Sequence, residues 1–120
     1  MDTYTLVRTE HLNHFGYLFG GQMLKWVDEF AWLAATREQP GCTFVTRAMD
    51  QVAFQHQVGN GTILRFNCRQ EKRGTTSVMY RVEVYAQAAG AKEEEHTVFT
   101  TCVALVNVDR KGHKVALPDS

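Results

Sequence analysis

Within HLNHFGYLFGGQMLKWVDEFAWLAA, residues 11–35, one carboxylate, one amide and a pair of glycines stand where chemistry is possible. Asp28 falls at the margin of an apolar helical stripe, beside Leu24 and Ala35 in angular projection, which makes it a partly desolvated carboxylate. The alternative is a hydrated surface aspartate paired with Lys25 three residues earlier. Gly20 and Gly21 immediately precede the helical pattern. A helix start offers N–H groups without intrahelical acceptors at the positive end of the dipole, and glycine lets a ligand approach that backbone closely. The position suits an anion or a developing oxyanion; read structurally, it is a tight turn into the helix. Asn13 lies in the irregular segment before the helix, where asparagine ordinarily forms turns or caps.

Composition narrows the chemistry. The chain has 120 residues, the size of one domain with one real core. Its 13 Lys plus Arg balance 13 Asp plus Glu, which argues against nucleic acid as a partner. No apolar run approaches the roughly 18 residues of a membrane span, and MDTYTLVRTE has no apolar segment of a secretory signal, so the expected location is cytoplasmic. Cys42, Cys68 and Cys102 are odd in number and widely spaced, and are expected to be reduced. His11, His14, His56, His96 and His113 never fall at HxxxH or HExxH spacing and no CxxC accompanies them, so no metal is expected. A GxSxG elbow and a phosphate-binding glycine loop are both missing.

The elements that must position these residues follow from periodicity. An alternating segment, Tyr4 to Thr9, precedes the irregular stretch from His11 to Gly21. From Gln22 to Glu38, Met23, Leu24, Trp26, Val27, Phe30, Ala31, Leu33, Ala34 and Ala35 recur at helical spacing over more than half the circumference; Pro40 and Gly41 end the pattern. Beyond it the period becomes two, with strands predicted near Thr43–Phe54, Thr62–Arg73, Ser77–Ala88 and His96–Val108. The charged run Lys92 to Glu95 reads as a hairpin loop. The most economical arrangement is α+β: one long central helix wrapped by a curved antiparallel five-stranded sheet, its last four strands an antiparallel meander. Long free sheet edges call for covering by oligomerisation.

Four fragments in order resemble the signature of the hotdog-fold acyl-CoA thioesterases, in the bacterial and brain-type acyl-CoA hydrolase branch. Asn13, Gly16, Phe19, Gly20, Gly21 and Asp28 stand in the places of that family's first pattern. VTRAMDQVAFQHQV resembles its next strand at Val45, Thr46, Asp50, Val52, Phe54 and Val58. EKRGTTSVMYRVEVYA matches its glycine-then-Thr-Ser approach to a strand at Gly74, Thr76 and Ser77, and TTCVALVNVDRKGHKVALP is similar to its ending. The chain departs from the pattern at Gln57, Thr62 and Thr75, where proline, aspartate and arginine are usual.

The resemblance implies a single hotdog domain over residues 1–120 that hydrolyses acyl-CoA thioesters to a free acid and coenzyme A, with no cofactor besides the coenzyme carried by the substrate. It implies a homo-oligomer, a dimer or an assembly of dimers, whose active site takes Asn13 and the helix start from one protomer and Asp28 from the other. Asp28 would act as general base or nucleophile, Gly20 and Gly21 N–H groups would hold the oxyanion, and Asn13 would orient water or carbonyl. For coenzyme binding the expected residues are Arg69, Lys72 and Arg73 at the phosphates, with Gly74, Thr75, Thr76 and Ser77 around the same turn. Phe54 and Val58 would line the pantetheine arm. Other readings are a non-catalytic acyl-CoA binding module and a hotdog thioesterase acting on aryl-CoA or acyl-carrier-protein substrates. A hotdog dehydratase would use a histidine before the helix, but the register from Asn13 to Asp28 fits the thioesterase better.

Overall fold

The computed structural model describes residues 1–92 and 94–119; Glu93, part of the expected charged loop, lies outside them. The elements run β1 (Asp2–Leu6), a one-turn 3-10 helix (Thr9–His11), α1 (Gly20–Glu38), β2 (Phe44–Phe54), β3 (Thr62–Arg73), β4 (Ser77–Ala88) and β5 (His96–Asn107). All strand pairs are antiparallel, in the order β1-β3-β4-β5-β2.

Alternation decides which face of each strand meets the helix. Along β4, Val78, Tyr80, Val82 and Val84 are at most 1% exposed while the residues between them are half-buried. Leu64, Phe66 and Cys68 of β3 and Val103 and Leu105 of β5 join them on the inner face. Across from that face α1 buries Met23, Trp26, Val27, Phe30, Ala31, Ala34 and Ala35. Trp26 and Phe30 meet Phe66 edge-on, with ring centroids 6.2 and 4.9 Å apart. Each large side chain so buried contributes about 1.5–3 kcal/mol. Burial also pushes the Cys68 thiol up to about 12, so this cysteine is a small hydrophobe. All three cysteines are free.

Three sequence expectations are corrected. The first strand is Asp2–Leu6, because Arg8 N–H donates to His11 Nδ1 at 2.9 Å and closes a 3-10 turn where extended chain was expected. The helix begins at Gly20, with Phe19 in extended conformation as its cap. The meander holds only for β3, β4 and β5. β1 occupies the other side of β3, with Thr3 opposite Phe66, so β2 pairs with β5 at the far edge. The connection from β2 to β3 therefore crosses one end of the sheet. It is pinned there by Gln55 N–H to Val98 O at 2.8 Å and Gly61 N–H to Val7 O at 2.9 Å. That end is where the helix starts.

Candidate active site

The segment before α1 is held as a rigid loop. Asn13 Oδ1 accepts the N–H groups of Phe15 and Tyr17 at 2.9 and 3.1 Å, and Asn13 N–H donates to Tyr17 O at 2.7 Å. Gly16, at φ 86°, supplies the left-handed residue this turn requires. The loop hangs on the crossing connection through Leu18 N–H to Val58 O at 2.7 Å. Asn13 is thus a turn former through its oxygen, while its side-chain NH2 has no partner among the described residues.

The loop delivers the chain into α1 at Gly20. Gln22 and Met23 both donate to Phe19 O, whereas the N–H groups of Gly20 and Gly21 have no acceptor among the described residues. A Cβ built on Gly20 would lie 3.3 Å from Phe54 Cζ; one on Gly21 would meet nothing within 4 Å. The structure therefore brings Phe54 against the helix start. Phe54 is 54% exposed, and its ring packs edge-on to Phe99 with centroids 4.8 Å apart.

Asp28 is half-buried on α1 at the side facing β2, where Thr46 Oγ1 donates to its Oδ1 at 2.5 Å. No ion pair joins it to Lys25 among the described residues. Thr46 belongs to a matched fragment of the sequence, yet nothing local to it signals contact with a carboxylate 18 residues away. Along one helix, Asp28 stands eight residues beyond Gly20, about 12 Å at 1.5 Å per residue.

The expected coenzyme turn lies at the opposite end of the domain, beside the helix C-terminus. Arg73 lines a hollow of about 230 Å³ with Glu38, Gln39, Pro40, Pro118 and Asp119, and its Nη2 donates to Pro118 O. Lys72, opposite Met79, faces outward with Glu71, Arg81 and Cys102, whereas Arg73 is opposite the buried Val78. The two cations are thus on opposite faces of the sheet and do not form one cluster. Arg69 is held by Glu83 at 2.5 Å, and that bond keeps the Glu83 carboxyl below its ordinary range. Gly74 N–H donates to Ser77 O at 2.8 Å, and the carbonyls of Thr75 and Thr76 accept Leu117 and Asn107 N–H, each at 2.8 Å. Val58 is 5% exposed and packs in the core.

No three His, Cys, Asp or Glu side chains converge as metal ligands among the described residues. Nor, among these residues, is any helix long and apolar enough to cross a membrane.

Comparison with known proteins converges on one family. The Thioesterase superfamily profile matches residues 15–91. Mouse acyl-coenzyme A thioesterase 11 is 31% identical over 100 residues, covering 83% of this chain and 16% of that protein. An uncharacterized acyl-CoA thioester hydrolase of Bacillus subtilis strain 168 is 32% identical over 108 residues, covering 88% of this chain and 60% of the relative. The chain thus spans less than two thirds of each of these relatives. Among solved structures, a hexameric thioesterase from Yersinia pestis superposes with a TM-score of 0.90 at 24% identity, covering 98% of this chain and 94% of that one. An apo-hexameric acyl-CoA thioesterase gives 0.89 at 27% identity, covering 98% and 74%. With a matching profile over more than half its length and a helix wrapped by a five-stranded antiparallel sheet, the chain belongs to the thioesterase superfamily and has the hotdog fold.

Proposed function

We propose that the chain hydrolyses acyl-CoA thioesters to a carboxylic acid and coenzyme A, at a site shared between two copies. The observation that carries this reading is the separation of about 12 Å between Gly20 and Asp28 on one helix. A tetrahedral centre in contact with both a backbone N–H and a carboxylate needs each within about 3 Å. One chain does not supply that, whereas a second copy with its α1 antiparallel to the first would bring the Gly20 of one against the Asp28 of the other. β2, whose far side has no strand partner among the described residues, is the edge along which such copies would meet. The hexameric thioesterases among the structural neighbours support an assembly of dimers.

The chemistry follows. The substrate carbonyl accepts the unpaired N–H of Gly20, with Gly21 beside it, and the developing oxyanion is stabilised where the helix dipole is positive. Asp28, oriented by the Thr46 hydroxyl, either takes a proton from a water whose oxygen attacks the carbonyl carbon, or itself attacks that carbon to form an anhydride that water then hydrolyses to release the acid. The C–S bond then breaks and the thiolate of coenzyme A leaves, to be protonated in water. Asn13 Nδ2 is the donor left over for the water or the carbonyl. From Asp28 to Glu38 the helix rises about 15 Å, a span that an extended pantetheine arm bridges to the Gly74–Ser77 turn of the same copy. Phe54 packs over the thioester end, and Arg73 meets the phosphates from the helix side of the sheet.

The test is release of free thiol from a panel of short, medium, long and aryl acyl-CoAs, together with acyl groups on acyl-carrier protein. Turnover of acyl-CoA that a folded Asp28→Asn variant lacks supports the reading. Tight binding of acyl-CoA without turnover would replace it with a binding module.

A further inference from the structure

The segment from Val115 to Pro118 has no part in the chemistry above, yet it is fastened at every residue to the same corner of the fold. Val115 N–H donates to Asn107 O at 2.9 Å, and the Asn107 side-chain NH2 donates to Ala116 O at 3.4 Å. Leu117 N–H donates to Thr75 O at 2.8 Å while its side chain, 8% exposed, sits in the core. Pro118 O accepts Arg73 Nη2. Asn107 joins the rest: its own N–H goes to Thr76 O and its side-chain oxygen accepts Thr43 N–H, both at 2.8 Å. The turn at Gly74–Thr76 is therefore clamped from the side of this segment.

The arginines of β3 differ in what holds them. Arg65 is paired with Glu95 and Asp2, and Arg69 with Glu83, so their charges are offset by carboxylates. Arg73 is held by a carbonyl, and no carboxylate lies within ion-pair distance of it among the described residues, although Glu38 and Asp119 line the same hollow. A neutral acceptor fixes the direction of a guanidinium without cancelling its charge, and four further N–H donors remain for an anion.

We infer that Val115–Pro118 is a positioning element for the coenzyme end of the substrate, in which Leu117 anchors the segment, its N–H sets Thr75, and Pro118 O aims Arg73 at a phosphate. The inference rests on the reading of the Gly74–Ser77 turn as the coenzyme turn. Leu117 touches no substrate atom; it acts through Arg73 and Thr75.

The experiment measures KM and kcat for one acyl-CoA and for the matching acyl-pantetheine thioester, which lacks the phosphates, in the assembled protein. Leu117→Ala is expected to raise KM for the acyl-CoA by about tenfold, the scale of one charge-assisted hydrogen bond, with kcat and the KM of the truncated thioester unchanged. Leu117→Met should restore the parent KM, and Leu117→Ala should add little to Arg73→Ala. Equal KM changes on both substrates, or none, in Leu117→Ala while Arg73→Ala still separates the two substrates would make the segment merely structural and overturn the inference. An Arg73→Ala variant that treats both substrates alike would overturn the coenzyme turn itself and the inference with it. Should Leu117→Ala fail to fold, Pro118→Gly loosens the carbonyl that holds Arg73 without entering the core, and the same split decides.

Discussion

Replacing Gly20 by alanine adds one methyl group at the position proposed to hold the substrate carbonyl, and the structure sets the size of each effect. The new Cβ would stand 3.3 Å from Phe54 Cζ and 3.4 Å from Cε1, so the ring must retreat by a few tenths of an ångström. Alanine is the better helix former by up to about 1 kcal/mol, less at a first helical position. Moving Phe54 gives back part of an aromatic pair worth about 0.5–1.5 kcal/mol. Phe54 is about half exposed, which leaves room for the shift, so the two terms offset and the melting temperature should stay close to the parent's. Turnover should not. A misplacement of about 1 Å near reacting atoms costs about 10², so on the same scale a few tenths at the carbonyl predict a fall in kcat/KM of about fourfold. Gly21→Ala is the control, because it makes the same change of residue one position on and meets nothing within 4 Å. Thiol-release kinetics and thermal melts on the two variants check the argument. Equal activity in both would mean that Gly20 serves only the turn into the helix and that the carbonyl binds elsewhere.

Asp28→Asn keeps the shape and the bond from Thr46 but removes the charge, and should lower kcat by about 10² or more; a folded variant turning over near the parent rate would remove the carboxylate from the chemistry. Thr46→Ala should cost about tenfold, with Thr46→Ser restoring most of it, read in the same assay. Asn13→Asp preserves both accepted backbone bonds and deletes the NH2 donor, so it should fold like the parent and lose turnover; full activity would leave Asn13 a turn former only. Refolded together, Asn13→Asp and Asp28→Asn should regain about a quarter of parent activity, because half the dimers then hold one intact site of two. For Glu83, the hydrogen bond from Arg69 lowers its folded value below 4.5, so its contribution to stability is present above 4.5 and lost as pH falls through the lowered value. Glu83→Gln should cost about 0.5 kcal/mol at neutral pH and flatten the loss of stability that melts of the parent show as pH falls below 4.5.

Local pattern was enough for the helix, the four later strands and their inner faces, but not for the end of β1 or the start of α1. Val78, Tyr80, Val82 and Val84 alternate in the sequence and lie together in the core, and the run from Met23 to Ala35 forms the buried side of α1. Strand order was not readable in the same way. Thr43–Phe54 and Thr62–Arg73 are neighbours in sequence, and only the claim of β1 on the side of β3 sends β2 to the other edge. Grouping Lys72 with Arg73 followed nearness along the chain, whereas period two separates adjacent side chains across a sheet. The register shift between Gln70 and Lys72 then puts Lys72 on the same outward face as Arg69. Thr46 and Asp28, or Arg69 and Glu83, meet only because two elements pack, and no window of the sequence contains both the donor and the reason for its direction.

The strand order also sets the order of synthesis against the order of folding. β1, α1 and β2 are made first, but β1 pairs with residues 63–67 and β2 with residues 99–107, so neither strand has a partner until the second half of the chain is out. Only β3, β4 and β5 join neighbours through short connections, and loop-closure entropy favours those pairings. Until that three-stranded unit exists, Trp26, Phe30 and the alanine face of α1 have nothing to cover them. The N-terminal half thus emerges with two strand segments unpaired and the apolar side of α1 uncovered, and exposed surface of that kind favours aggregation until the sheet it packs against is complete.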